Sequence, residues 1–241
     1  MTSPFKAWGK YMSSQDVQIH GVAVNLANWA RYVASEDRLT ASRIAEICEE
    51  IHHSGKHLIT RGYVRRAFSQ SVTKGVIASV IWGYPKGRFP GGKSFAGIFA
   101  RAEILADKLT KLKSGTPLPA DAVCSEFNGF QGLGPSTYTK MLYFADIVAV
   151  EGKCLIYDQM VMRSIAESSE LQWAALKTKL GSCRHPNGKF RVYPGTLQIG
   201  TYGDFLKLTH SLSTDEKSAE AIELELFMNA PRGKPTQHQR G

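Results

Sequence analysis

Lys140 and Asp158 are the residues of this chain whose types and setting suggest chemistry. They fall in the stretch 127–165, FNGFQGLGPSTYTKMLYFADIVAVEGKCLIYDQMVMRSI. An amine withdrawn from water loses the solvation that favours its ammonium form, and so becomes a nucleophile. A carboxylate held at a helix start can turn one oxygen toward a reacting centre. There it could stabilise an oxocarbenium-like sugar or help to deprotonate the amine. Together the two groups suit attack on a glycosidic carbon. On a helix, Lys140 has Ser136 and Thr137 behind it and Tyr143 and Phe144 ahead, which puts it beside aromatics at the edge of an apolar stripe. Two readings of it stay open: a snorkelling surface lysine, or a partly desolvated amine. Asp158 follows Leu155-Ile156-Tyr157 and precedes Gln159-Met160-Val161, so it also reads as a helix cap. The cap and the chemical role are compatible.

The element that positions them is a glycine turn. Gly132 and Gly134 flank Leu133, which can point inward as an anchor, and Pro135 suits the first turn of the following helix. Free N–H groups of the turn and helix start, with Ser136 next in line, can face a phosphate. Phe127 and Phe130 before the turn, and Met141, Leu142 and Ala145 after it, supply the packed face. A second loop, from Gly83 to Lys93, is rich in Gly and Pro. It carries Lys86, Arg88 and Lys93, which could offset backbone phosphate charge.

The chain has 241 residues, enough for one large domain or two small helical lobes, and 43% of them are hydrophobic. Lys and Arg number 30 against 21 acids, a net charge of +9, which suits an acidic polymer and above all nucleic acid. No early run matches a secretory signal, and no segment is long and apolar enough for a bilayer. Cys48, Cys124, Cys154 and Cys183 are widely spaced without a CxxC pair, so disulfide and zinc readings are weak. Cys183 and His185 could supply two metal ligands, but nothing completes the set. These features point to a cytoplasmic protein with reduced thiols; a monomer is expected, nucleoid-associated while bound if the acidic polymer is DNA.

Helical periodicity covers most of the chain. The pattern predicts helices over Val22–Ala34, from Thr40 (with Ile44, Ile47, Cys48 and Ile51 inward), from a Thr60 cap through Phe68, and from Ser71 or Thr73 to Trp82. Further helices are expected from near Ser94 to Leu112, then over Ala120–Phe130, Pro135–Val148, Asp158–Ser168, Trp173–Lys179, Tyr202–Ser211 and Thr214–Met228. In the last, Asp215 and Glu216 would sit in the first turn. Cys183–Tyr202 reads as a long loop or a small β-hairpin. One domain of two lobes would then span 1–229, with the hairpin unit at about 120–150 and a flexible basic tail over 230–241.

The hairpin, the lysine and the downstream aspartate of 127–165 resemble the helix-hairpin-helix (HhH-GPD) DNA glycosylase superfamily. Within it the chain looks most like the 8-oxoguanine glycosylase branch, in its archaeal-type and bacterial members. A weaker resemblance extends over Val22–Met228 through helix order and the Trp82–Arg88 loop. There are two departures. Gln131 stands where a proline usually precedes the hairpin glycines, and Ser136 stands where bifunctional members place their lysine. Lys140 comes one turn later on the same face, as in the archaeal-type branch. The resemblance implies a mainly α, two-lobed fold with the active cleft between the lobes. It implies binding of double-stranded DNA and excision of a flipped base, either 8-oxoguanine or a hypermodified phage base in anti-phage defence. Lys140 would form a Schiff base with AP lyase activity, and Asp158 would assist. Phe144 is the first candidate for stacking on the base, with Trp82 and Tyr84 next; Asn25, Asn28 and Gln159 are candidate base-edge readers. No redox cofactor or catalytic metal is implied, though a monovalent cation on hairpin carbonyls is. The reading from another class is a non-enzymatic helix-hairpin-helix DNA-binding protein.

Overall fold

The computed structural model describes residues 13–33, 38–88, 95–130, 132–181 and 200–230. Lys93, Gln131, residues 183–199 and the tail from 231 onward lie outside them. The expectations for Lys93, for the loop-or-hairpin segment and for the tail therefore lie outside the described residues.

The fold is mostly helical. Helix α1 (Ser14–Ile19) leads into β1 (Gly21–Ala23), followed by α2 (Leu26–Val33), α3 (Arg38–His53) and β2 (Leu58–Thr60). Then come α4 (Arg61–Gln70), α5 (Val72–Gly83), α6 (Ala96–Phe99), α7 (Ala102–Ser114), α8 (Ala120–Ser125) and α9 (Pro135–Phe144). Strands β3 (Val148–Ala149) and β4 (Gly152–Lys153) precede α10 (Gln159–Glu167), α11 (Ala174–Gly181), α12 (Thr201–Ser211) and α13 (Ala219–Met228). β1 pairs antiparallel with β2, with Val22 opposite Ile59, and β3 pairs antiparallel with β4.

Several starts follow the expected caps. Thr60 Oγ1 accepts the Tyr63 N–H, Ser71 Oγ accepts that of Lys74, and Asp158 caps α10. Other boundaries differ. Val22 lies in a strand, because Asn25 starts α2 by accepting the Asn28 N–H at 3.0 Å. α3 begins at Arg38, two residues before Thr40. The helix expected from Ser94 is broken between α6 and α7. α8 stops at Ser125, and α9 stops at Phe144 because Asp146 adopts φ +58°, which a right-handed helix cannot contain. The last helix starts after Ser218, which caps it through the Ala221 N–H, so Asp215 and Glu216 lie in the preceding turn.

α5 is the axis of the core. It is apolar nearly all round and buried from Thr73 to Trp82, packed by α3, α4, α7 and α9. Ile77, Val80 and Ile81 are fully buried, each contributing roughly 1.5–3 kcal/mol. Gly75 permits the close approach of α4: a Cβ there would stand 2.2 Å from Phe68 Cγ. The core is continuous from Val24 to Leu226. Lys140 on α9 and Asp158 at the head of α10 therefore meet beside the C-terminal end of α5. No helix among the described residues is long and apolar enough to cross a membrane.

Candidate active site

The first structural requirement is the hairpin. Gly132 has φ +81°, a conformation strained for residues with a Cβ. Leu133 is buried, as an anchor should be, and its N–H bonds the Phe130 carbonyl at 3.1 Å. Gly134 differs from expectation. It is the N-cap of α9 with ordinary extended angles, φ −87° and ψ 168°, so the turn does not need its freedom. A Cβ there would meet nothing within 4 Å, which leaves open space at the head of α9. Pro135 takes the first helical position.

One turn further on, the Lys140 amine is bound three times. It donates to the Ser136 carbonyl at 2.8 Å, to Ser136 Oγ at 3.2 Å and to Asp158 Oδ2 at 2.9 Å. Three acceptors match the three N–H bonds of an ammonium ion. Both side chains are under 10% exposed, so the lysine is a desolvated group and does not snorkel. The other carboxylate oxygen, Asp158 Oδ1, accepts the N–H groups of Met160 at 2.9 Å and Val161 at 3.2 Å. Burial works to raise the Asp158 pKa, but the Lys140 charge and these hydrogen bonds outweigh it, and the carboxyl is held below the usual range. Asp158 is thus a helix cap and the lysine's counter-ion at once.

The C-terminal end of α5 closes over the pair. Gly83 lies against the Lys140 stem. Tyr84 shares a 2.7 Å hydrogen bond with Thr137, one turn before Lys140. Burial raises the phenol's pKa, and the negative charge of Asp158 adds to the effect. The loop beyond is clasped to α2. The Asn25 N–H donates to the Pro85 carbonyl at 2.8 Å, Asn28 Nδ2 to the Lys86 carbonyl at 2.9 Å, and the Tyr32 hydroxyl to the Gly87 carbonyl at 3.3 Å.

This geometry revises several candidate roles. Phe144 and Trp82 are core residues whose rings meet edge to face at 5.4 Å. Neither presents a ring face to solvent, because both lie on the surfaces where α5 and α9 pack. The Asn28 amide holds the loop in place, so base reading is not its visible task. Tyr84 is half-buried and Gln159 exposed, and both stand next to the pair. Lys86 and Arg88 are exposed at the loop, and Ser136 is half-buried.

Sequence reasoning did not find the charged layer behind the site. Arg61, fully buried, makes a bidentate pair with Glu223 at 2.6 and 3.1 Å and lies over the rings of Trp82 and Tyr143. Burial opposes the Arg61 charge, but Glu223 more than offsets this and holds the guanidinium protonated. Arg65 and Lys153 share Asp146 and Glu220 nearby at 2.7–2.8 Å. Glu223, set between Ile222 and Leu224 in the run Ala221–Met228, was the available signal for a buried partner. His20 packs edge to face on Trp82, and burial together with Arg61 lowers its pKa to about 4. Among the described residues no group of three or more His, Cys, Asp or Glu is arranged to hold a metal ion.

The model of the family described as "Putative 8-oxoguanine DNA glycosylase OGG-like protein" matches residues 15–228. No curated protein and no solved structure gives a significant match. The matched span includes the hairpin, Lys140, Asp158 and the clasped loop.

Proposed function

The chain belongs to the family described as "Putative 8-oxoguanine DNA glycosylase OGG-like protein", and from that premise we propose that it excises 8-oxoguanine from duplex DNA through a Schiff base on Lys140. The observation that carries the proposal is the buried 2.9 Å contact between Lys140 and Asp158. An amine and a carboxylate removed from water and held together are equipped to exchange a proton.

The ammonium first gives up a proton, with Asp158 as the adjacent acceptor. The free amine then attacks C1′ of the deoxyribose, and the C1′–N bond breaks as the base leaves with a proton. Asp158, ionised again once its proton has passed to the departing base, stabilises the positive charge that develops on the sugar. Ring opening gives the imine, and loss of the C2′ proton permits β-elimination of the 3′ phosphate, the AP lyase step. Such a base must leave the stack to reach buried groups. Tyr84 and Gln159, the candidate readers beside the pair, would meet it.

DNA would be held from two sides. The open space at Gly134 and the N–H groups at the head of α9 suit a phosphate. Lys86 and Arg88 sit on a loop whose backbone is fixed by α2 and can offset charge nearby. The Phe130 carbonyl accepts the Leu133 N–H and has a second lone pair that a monovalent cation at the hairpin could use.

Release of free base from duplexes carrying single modified bases tests the proposal. Release of 8-oxoguanine supports it. Release only of a hypermodified base would move the substrate to foreign DNA, and duplex binding without any release would favour the non-enzymatic reading.

A further inference from the structure

We propose that Gly83 is a positioning residue for Lys140: the side chain it lacks leaves the passage through which the lysine stem reaches Asp158. The inference rests on the reading of Lys140 as the nucleophile. Gly83 is the last residue of α5 and has no positive φ, so its backbone would accept any L-residue. The helix gains nothing from it, because glycine weakens a helical position relative to alanine. Yet a Cβ placed there would stand 3.2 Å from Lys140 Cδ and 3.6 Å from Cε, and no other neighbour lies within 4 Å. The space freed by Gly83 is thus filled by the lysine stem alone.

The stem has little room to yield. Its amine is tied to Ser136 and Asp158, and both acceptors are set by helix starts, those of α9 and α10. On the far side of Gly83, Tyr84 is fixed by its bond to Thr137. A methyl group at Gly83 would press on Cδ and tilt the amine away from Asp158. It would leave the hairpin, the loop clasp and the surface cations untouched. A core glycine kept only for packing would behave differently, since filling its space would disturb the fold before the chemistry.

Gly83→Ala in the full chain tests this. The expected melting temperature stays within a few degrees of the parent's, since the better helix propensity of alanine offsets part of the loss from the weakened ion pair, and duplex affinity is unchanged. Under single turnover, formation of the borohydride-trapped adduct falls about tenfold, the order expected for displacing a reacting group by a few tenths of an ångström. A second readout needs no activity. The Asp158 carboxyl, followed by carbon NMR, titrates at higher pH in Gly83→Ala, because burial then acts against a more distant counter-charge. An unshifted Asp158 titration overturns the proposal, and so does an unchanged rate of adduct formation. A variant that melts earlier and loses duplex binding assigns Gly83 to packing and also overturns it. If the parent itself forms no adduct, the nucleophile reading falls, while the titration still decides whether Gly83 seats the lysine.

Discussion

Lys140 and Asp158 meet at 2.9 Å, and the aspartate is committed at both oxygens: Oδ2 takes the amine, and Oδ1 takes the N–H groups of Met160 and Val161. The helix that presents the carboxylate is thereby capped by it. Movement of Asp158 toward a substrate would uncap α10, so in the proposed reaction the lysine would be the partner that moves.

Replacing Asp158 by Asn leaves a buried ammonium without its counter-charge. We expect a loss of about 3 kcal/mol of stability, measured by denaturant unfolding, and a fall in base release of roughly 10²–10⁴-fold. Adding Lys140→Gln should recover part of the stability. A double-mutant cycle should return a coupling of about 1–3 kcal/mol. Additive losses would mean that the pair does not interact in solution.

Gly134→Val should weaken binding to every duplex alike while leaving the melting temperature within a degree or two. The position has ordinary backbone angles and open space, so the fold accepts a side chain that a phosphate cannot. An altered base preference with unchanged affinity for plain duplex would contradict this role.

The acid side of the stability curve should carry the mark of His20. Its folded pKa is about 4 and its ordinary value 6.5. Between these values the unfolded chain holds a proton that the folded chain does not, so stability falls as pH drops from 6.5 to 4 and this loss levels off below. For a half-buried ring the loss should be roughly 1–2 kcal/mol after solvent screening. His20→Phe should flatten that window when stability is measured against pH. Below it, Asp158, whose folded pKa is depressed, loses its contribution as pH falls through that lowered value.

Duplex binding should weaken steeply with salt, because phosphate contacts by lysines and arginines release counterions. A log–log slope near zero between 50 and 200 mM salt would reject the basic surface. Lys86→Ala and Arg88→Ala should each reduce the slope by about one unit.

The sequence made the helical architecture and the Lys140–Asp158 pair legible because both rest on local rules: apolar periodicity, a proline after a glycine turn, and an aspartate before a helix. Thr60, Ser71 and Asp158 all cap helices where their types demand it. What stayed hidden depends on distant packing. Phe144 looked like a pocket wall because it follows Lys140 by one turn, but the approach of Trp82 from α5 buries it. Gly83 looked like the edge of a loop, and only the return of α9 shows what its missing side chain accommodates. Arg61 and Glu223 lie 162 residues apart in the sequence, so no spacing rule could join them. The strand β1 was missed because three residues paired with β2 carry too little pattern to compete with the helical run after Leu26.

Borohydride trapping on a duplex containing 8-oxoguanine tests the central claim most directly. The account predicts a covalent protein–DNA adduct with the full chain, mapped to Lys140, and its loss in Lys140→Gln with duplex binding retained. An adduct that persists in Lys140→Gln would contradict it, and so would base release by the parent without any trapped adduct.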